Sequence, residues 1–347
     1  MSQKKLRIGT RDSQLAVWQA TLVQDLLKQK GVASELVYIK SEGDIDTVTP
    51  LYELGVQGVF TKSLDAALLN KRIDLAVHSM KDVPTQLATG LTQAAVLKRA
   101  SHKDILVLHP EIDKRDNKFI IEFVSIETGG GKKLKDNGWM LPLREDKENP
   151  GKPEKIIIAT SSVRRIAQWL HHNPNSTIEN LRGNVNTRLR KLKESNWHGA
   201  IFAAAGLERI GLRPENSIEL DWMLPAPAQG AIMIVCRKDD TQAFIPCQSF
   251  NDADTVICTK VERDFLRTLM GGCSTPISAL AEVKNGNVHF KGNIISIDGK
   301  QKVEVSFVVA IKDAADLGVN AANELLQQGG EAIVKEIRQK KSNDLSE

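Results

Sequence analysis

Short apolar runs that end in threonine or serine, each followed by a helical repeat, set the rhythm of the first two thirds of this chain. Leu6-Arg-Ile-Gly-Thr10 reads as a strand, and behind Ser13 the apolar residues Leu15, Trp18, Leu22 and Leu26 recur at helical spacing until Gly31. Ile156-Ile-Ile-Ala-Thr160 repeats the arrangement, with Ser161 and Ser162 leading into a helical Val163-Arg-Arg-Ile-Ala-Gln-Trp-Leu170. In both units the serine opens a helix whose first amides are free to bind an anion. A second echo pairs Ile73-Asp-Leu-Ala-Val-His-Ser79 with Trp197-His-Gly-Ala-Ile-Phe-Ala-Ala-Ala-Gly206, each a buried strand running into a turn. The repetition predicts two related α/β halves facing a cleft.

The last third changes pattern. Asp254 to Met270 has helical spacing, short strands follow around Asn285-Gly286 and Asp298-Gly299 turns, and Ala314 to Ile337 reads as helix again. That predicts a small α+β unit. Between His109 and Lys155, 20 of 47 residues are charged, so this stretch reads as an exposed excursion, with a hairpin expected from Lys118 to Ile126.

Composition adds exclusions. A net charge of +4 on 347 residues is too small to argue for nucleic acid, and no apolar stretch approaches the ~20 residues of a membrane span. The N-terminus enters a strand within six residues, so no targeting segment is expected there. Cys236, Cys247 and Cys258 form no C-x-x-C pair, which gives no zinc or redox motif, no metal, and a reducing cytoplasm as the expected setting.

Three features carry candidate chemistry. Cys273 sits in Met270-Gly-Gly-Cys-Ser-Thr-Pro276, where two glycines end a long amphipathic helix and a proline stops it resuming. Its thiol is either presented on a turn for covalent chemistry or a small buried hydrophobe. Arg11, Arg164, Arg165, Arg182 and Arg188 fall at strand-to-helix turns without a phosphate-binding glycine loop. Guanidinium forks there suit a ligand with several carboxylates or phosphates, the alternative being solvated helix faces. Lys81 and Asp82 follow a buried strand stopped by Pro84, either as a surface ion pair or as a cleft-facing pair able to stabilise a cation and move protons. His78, at a strand position, is expected to be a structural hydrogen-bonding residue.

Together the motifs Ile-Gly-Thr-Arg-Asp-Ser-Gln-Leu-Ala, Val-His-Ser-Met-Lys-Asp-Val-Pro, Thr-Ser-Ser-Val-Arg-Arg, Leu-Arg-Gly-Asn-Val-Asn-Thr-Arg-Leu, Pro-Ala-Gln-Gly-Ala and Gly-Gly-Cys resemble the porphobilinogen deaminase (hydroxymethylbilane synthase) family, in its order and from Leu6 to about Ile337. The resemblance implies two periplasmic-binding-protein-like (type II) α/β domains flanking a cleft plus a small α+β C-terminal domain. Their expected extents are 1–103 with 229–250, 104–228, and 251–347. It implies head-to-tail condensation of four porphobilinogen molecules, with release of ammonia and then of hydroxymethylbilane. The primer would be a dipyrromethane cofactor joined by a thioether to Cys273, and Asp82 the catalytic carboxylate. Lys81, Ser13, Thr160, Ser161, Ser162, Arg164, Arg165 and Arg188 would contact the cofactor, and Arg11, Arg182, Arg209 and Gln229 the substrate. A cytoplasmic monomer that hands its product to uroporphyrinogen-III synthase is the accompanying expectation, with no nucleic acid or membrane partner.

Two departures from the family pattern stand out. In the segment that matches its lid, Gln57 replaces a lysine, and Ser63 and Asp65 replace glutamates, while the 109–155 excursion is longer than usual and expected to be peripheral to catalysis. Two other classes remain open on residues alone. A silent polycarboxylate-binding protein has no need of Gly-Gly-Cys273 or Lys81-Asp82, and a cysteine-nucleophile transferase should pair Cys273 with a histidine that no motif supplies.

Overall fold

The computed structural model describes residues 5–40, 61–110, 155–269 and 275–344. Three sheets organise them, each over its own buried core. The first is built from β1 (Leu6–Thr10), β2 (Ser34–Tyr38), β3 (Leu75–Ser79), β4 (Leu91–Val96) and β10 (Ile232–Arg237), in the order β2-β1-β3-β10-β4. β1 runs parallel to both neighbours, and β10 is antiparallel to β3 and β4. The second comprises β5 (Asp104–Leu108), β6 (Ile157–Ala159), β7 (Thr177–Glu179), β8 (Gly199–Ala203) and β9 (Ser217–Glu219), ordered β7-β6-β8-β5-β9. Here β6 is the parallel strand and β5 the antiparallel one. Strand for strand the two orders coincide, so the sequence echoes are the same pair of positions in two equivalent sheets. This is the type II α/β arrangement that the resemblance implied.

The helices follow from the spacing of their apolar residues. On α1 (Gln14–Gln29), Gln19, Ala20, Val23 and Leu27 form one buried face against the first sheet, and Ser13 holds the N-cap position. After α2 (Lys62–Leu69), the helix α3 (Val163–His172) buries Val163, Ala167 and Trp169, and α4 (Val185–Glu194) is capped by Asn184, whose side chain accepts from the Thr187 amide at 2.9 Å. Within Trp197–Gly206 the expected buried strand is Gly199–Ala203, and where a turn was expected Ala204 begins α5 (Ala204–Arg209).

The chain crosses between the two sheets twice, at 97–103 and at 220–231, and the crossings are bonded together. Leu97 donates to the Ile232 carbonyl at 3.0 Å and Ala100 to that of Gly230 at 3.1 Å. Gly230 adopts φ +89°, and a Cβ there would stand 2.6 Å from the Ser101 carbonyl oxygen, so only glycine fits.

After α6 (Thr241–Gln248), the helix α7 (Ala253–Thr268) packs on the antiparallel sheet β11 (Ile277–Lys284), β12 (Asn287–Ile295) and β13 (Lys302–Ala310), with Phe265 edge-on to Phe290 at 5.2 Å. These strands are eight or nine residues long, not short as the sequence suggested. Asn285 and Gly286, at φ 52° and 75°, make the expected tight hairpin. The single helix expected over 314–337 is two, α8 (Leu317–Leu325) and α9 (Glu331–Asp344), separated where Gly329 turns to φ 104°. Glu262 of α7, fully buried, ties this unit to the crossings: it pairs with Arg99 at 2.6 Å and accepts from the Ala228 and Ala281 amides at 2.6 and 2.7 Å.

The hairpin expected at Lys118–Ile126, Gln57 of the lid segment and Cys273 with its glycines all lie outside the described residues. Ser63 and Asp65 are on α2, away from the cavity described next; burial pushes the Asp65 carboxyl up to about 6, against a hydrogen bond from Thr61.

Candidate active site

Between the two five-stranded sheets lies a cavity of about 340 Å³ onto which three helix starts converge. Ser13 to Leu15 of α1, Ser161 to Val163 of α3 and Asn184 to Thr187 of α4 all line it. The side chains of Ser13 and Ser162 make no capping bond to their own helices, so neither hydroxyl is spent on an amide of its first turn. Ser161 donates to the Leu181 carbonyl at 2.8 Å, which joins the α3 start to the loop carrying Arg182. Thr160 does not line the cavity: it is buried behind it, accepting from the Ser162 amide at 3.4 Å.

All of the sequence-selected arginines reach this cavity, in two groups. Arg164 and Arg165 are gathered by Asp104, a fully buried carboxylate at the start of β5, at 2.8 and 2.7 Å. Arg165 also donates to the Ile201 carbonyl at 2.8 Å and Arg164 to that of Leu224 at 2.7 Å. Burial alone would raise the Asp104 carboxyl, but Arg164, Arg165 and Lys81 outweigh it and hold it well below the usual carboxylate range. Held by these bonds, both guanidinium groups are fixed in the wall of the cavity. Arg11, Arg182, Arg188 and Arg209 make the second group. Burial lowers Arg188 to about 10, with Arg165 adding to the effect and Asp82 opposing it; it also lowers Arg209 to about 10, so both remain cations at neutral pH. Arg188 is steadied by the Gly183 carbonyl at 2.8 Å and Arg209 by that of Gly230 at 2.6 Å, with its guanidinium 5.8 Å from the Trp18 ring centre.

Lys81 and Asp82 stand on a 3₁₀ turn, Met80–Asp82, directly after β3, where Met80 and Val83 are buried and turn the chain back. Lys81 donates to Gln229 Oε1 at 3.2 Å, and Gln229 Nε2 in turn donates to Asp104 at 3.0 Å and to the His102 carbonyl at 2.8 Å. Gln229 thus links the lysine of one half to the arginine clamp of the other, at the point where the chain crosses back. Desolvation lowers Lys81 to about 8, Asp82 and Asp104 resisting and Arg165 and Arg164 assisting. Asp82 is the one acidic residue among the described residues that line the cavity.

Such a site has the chemistry to hold an anion with several carboxylates, and it sets one carboxylate among the cations, where it can stabilise a developing positive charge or accept a proton. Asp104 was not singled out by sequence reasoning, although an acidic residue opening the fully apolar Ile105-Leu-Val-Leu108 was a signal. Ser79, Asn184 and Asn186 also line the cavity unannounced. His78 is buried and neutral, lowered to about 4 by burial and by Arg11, and its Nε2 lacks the hydrogen-bond partner expected of it. Cys236, Cys247 and Cys258 are buried free thiols that burial pushes up to about 11, 12 and 12. No helix among the described residues is long and apolar enough to cross a membrane.

Residues 6–244 match the family model "Porphobilinogen deaminase, dipyromethane cofactor binding domain", and residues 256–327 match "Porphobilinogen deaminase, C-terminal domain". The porphobilinogen deaminase of Syntrophomonas wolfei is 37% identical over 339 residues, covering 96% of this chain and 99% of that protein. That of Pelotomaculum thermopropionicum is 38% identical over 347 residues, covering 99% and 100%. Among solved structures, a methionine-binding protein superposes with a TM-score of 0.39 at 14% identity, over 73% of this chain and 91% of that one. By its motifs, its cavity and these near full-length matches, the chain belongs to the porphobilinogen deaminase family.

Proposed function

We propose that this chain condenses four porphobilinogen molecules head to tail and releases the product as hydroxymethylbilane, with Asp82 as the catalytic carboxylate. The observation that carries the reading is that, among the described residues lining the cavity, Asp82 is the one acidic residue and the rest are cationic or neutral. Porphobilinogen bears an acetate and a propionate, so every addition brings two carboxylates, and the arginines and helix starts neutralise them. Each condensation breaks the substrate's C–N bond to release ammonia, forms one C–C bond and expels one proton. Asp82 lowers the energy of the cation that ammonia loss creates on the substrate and accepts the proton.

A dipyrromethane group fits these residues. Its carboxylates match the two Asp104-oriented arginines, Arg188, Lys81 and the α1 and α3 starts with their uncommitted serine hydroxyls. Bound there, it supplies a nucleophilic pyrrole carbon as primer. Cys273 is its proposed thioether anchor, with Ser13, Ser161, Ser162, Arg164, Arg165 and Arg188 as its contacts and Thr160 as their support. Arg11, Arg182, Arg209 and Gln229 are assigned to the incoming substrate. The domain division at 103/104, 228/229 and 250/251 is proposed on sheet membership, and a cytoplasmic monomer that passes its product to uroporphyrinogen-III synthase completes the reading. Residues 109–155 are taken as peripheral to catalysis.

Steady-state turnover of porphobilinogen by Asp82→Asn tests the assignment. A variant that keeps its cofactor yet loses at least about 100-fold in kcat is expected; wild-type kcat removes Asp82 from its role.

A further inference from the structure

Behind the Lys81–Asp82 turn, on the side away from the arginines, is a second cavity of about 630 Å³, walled by Met80, Leu87, Leu91 and Met233 and by Val256, Thr259 and Arg263 of α7. Met80 and Val83 pack the turn into the core, and beside them this cavity leaves the carbonyl side of the turn open toward α7. One side chain spans this gap. Arg263 donates to the carbonyls of Val83 and Pro84 at 2.9 and 2.6 Å and reaches that of Met80 at 3.4 Å, gripping the turn on both sides of Lys81 and Asp82. The other backbone ties of the turn are few: Met80 donates to the Ala231 carbonyl at 3.0 Å and Val83 to that of Met80 at 3.1 Å. The residue before Arg263 is Glu262, which locks α7 to the crossing segments through Arg99 and the Ala228 and Ala281 amides. Five residues beyond Arg263, α7 ends, and the chain continues to Cys273.

We propose that Arg263 is a positioning residue for the condensation: it fixes the Lys81–Asp82 turn relative to α7, and so relative to the helix that leads to the proposed cofactor anchor. The proposal rests on the catalytic reading of Asp82. The open cavity separates positioning from a merely structural role. When the guanidinium is removed, the three carbonyls face water that can satisfy them, so the fold loses little while the turn loses its register.

The test uses the full-length holoenzyme and four variants: Arg263→Met, Arg263→Lys, Asp82→Asn and the Asp82→Asn, Arg263→Met double. Arg263→Met is expected to lower kcat about 10- to 100-fold, as displacement of a reacting group does, with KM within about twofold and an unchanged intact mass. Arg263→Lys, which still offers donors, recovers part of the loss. In the Asp82→Asn background the same change has no further effect on kcat, because the residue acts through Asp82. Wild-type kcat in Arg263→Met overturns the proposal, and so does a kcat loss that multiplies in full on that of Asp82→Asn. If Asp82→Asn alone turns over like wild type, the catalytic reading fails instead, whatever Arg263→Met does.

Discussion

Each five-stranded half holds a fully buried aspartate that gathers two arginines, and the two clusters do different work. Asp74, just before β3, takes Arg7 at 3.0 Å and Arg237 at 3.1 Å. Asp104, at the start of β5, takes Arg164 and Arg165 at 2.8 and 2.7 Å. In both, burial would raise the carboxyl, and the arginines reverse the shift to leave it well below its ordinary range. What differs is the far side of the guanidinium groups. Arg237 spends its other donors on the Leu68 and Ile73 carbonyls and on Asp240, so it is enclosed by the fold at the base of β3, while Arg7 lies part-exposed beside it. Arg164 and Arg165 line the ligand cavity. Identical charge chemistry is structural where the fold surrounds it and functional where one face is left open, so an ion pair says nothing about role until its surroundings are known.

The largest effect that would break this comparison comes from neutralising each aspartate. Asp104→Asn should cost about 3–5 kcal/mol in urea unfolding, since two buried guanidinium groups lose their counter-charge, and Asp74→Asn should cost less, because Arg7 is part-exposed and Arg237 keeps Asp240. Only Asp104→Asn should also lose cofactor binding and turnover in the folded fraction; equal activity losses in the two variants would erase the distinction. Both carboxyls have folded pKa values below their unfolded ones. The stability they contribute is therefore full above about pH 4 and disappears as pH falls toward the folded values, and either variant should flatten acid unfolding in that window.

A smaller effect concerns Lys81, which completes the Asp104 network through Gln229. With its pKa lowered to about 8, its ammonium is present at neutral pH and is lost as pH rises through that value. Turnover should fall several-fold between pH 7 and pH 9 as the proposed cofactor contact loses its charge, and Lys81→Arg, which stays protonated throughout, should remove that fall. Smallest of all is the exposed Asn186 to Gln14 hydrogen bond, 3.0 Å long, across the mouth of the cleft. Asn186→Ala should change stability by less than about 1 kcal/mol in the same unfolding assay.

The two halves were legible in sequence because their strand-to-helix units repeat locally: Thr10 to Ser13 and Thr160 to Ser162 announce their turns within a few residues. Lys81, Asp82 and the arginines were legible for the same reason, as polar residues at the ends of apolar runs. Asp104, Glu262 and Arg263 were not. Their partners lie 61, 163 and 180 residues away, a separation that leaves no periodic trace. The break at Gly329 was marked by Gln327-Gln328-Gly329-Gly330, a polar, glycine-ended interruption between two apolar runs that the reading of one helix passed over. The two crossings, where Gln229 sits, were expected only through the family resemblance, and their physical basis is that β5 and β10 are the antiparallel strands of opposite sheets.

Intact mass spectrometry of the purified chain and of Cys273→Ala tests the central claim most directly, that the arginine-lined cavity holds a covalently anchored polycarboxylate primer. A covalent excess of two pyrrole units on the wild-type chain, absent from Cys273→Ala, is the predicted result. An active wild-type chain at its unmodified sequence mass would contradict it.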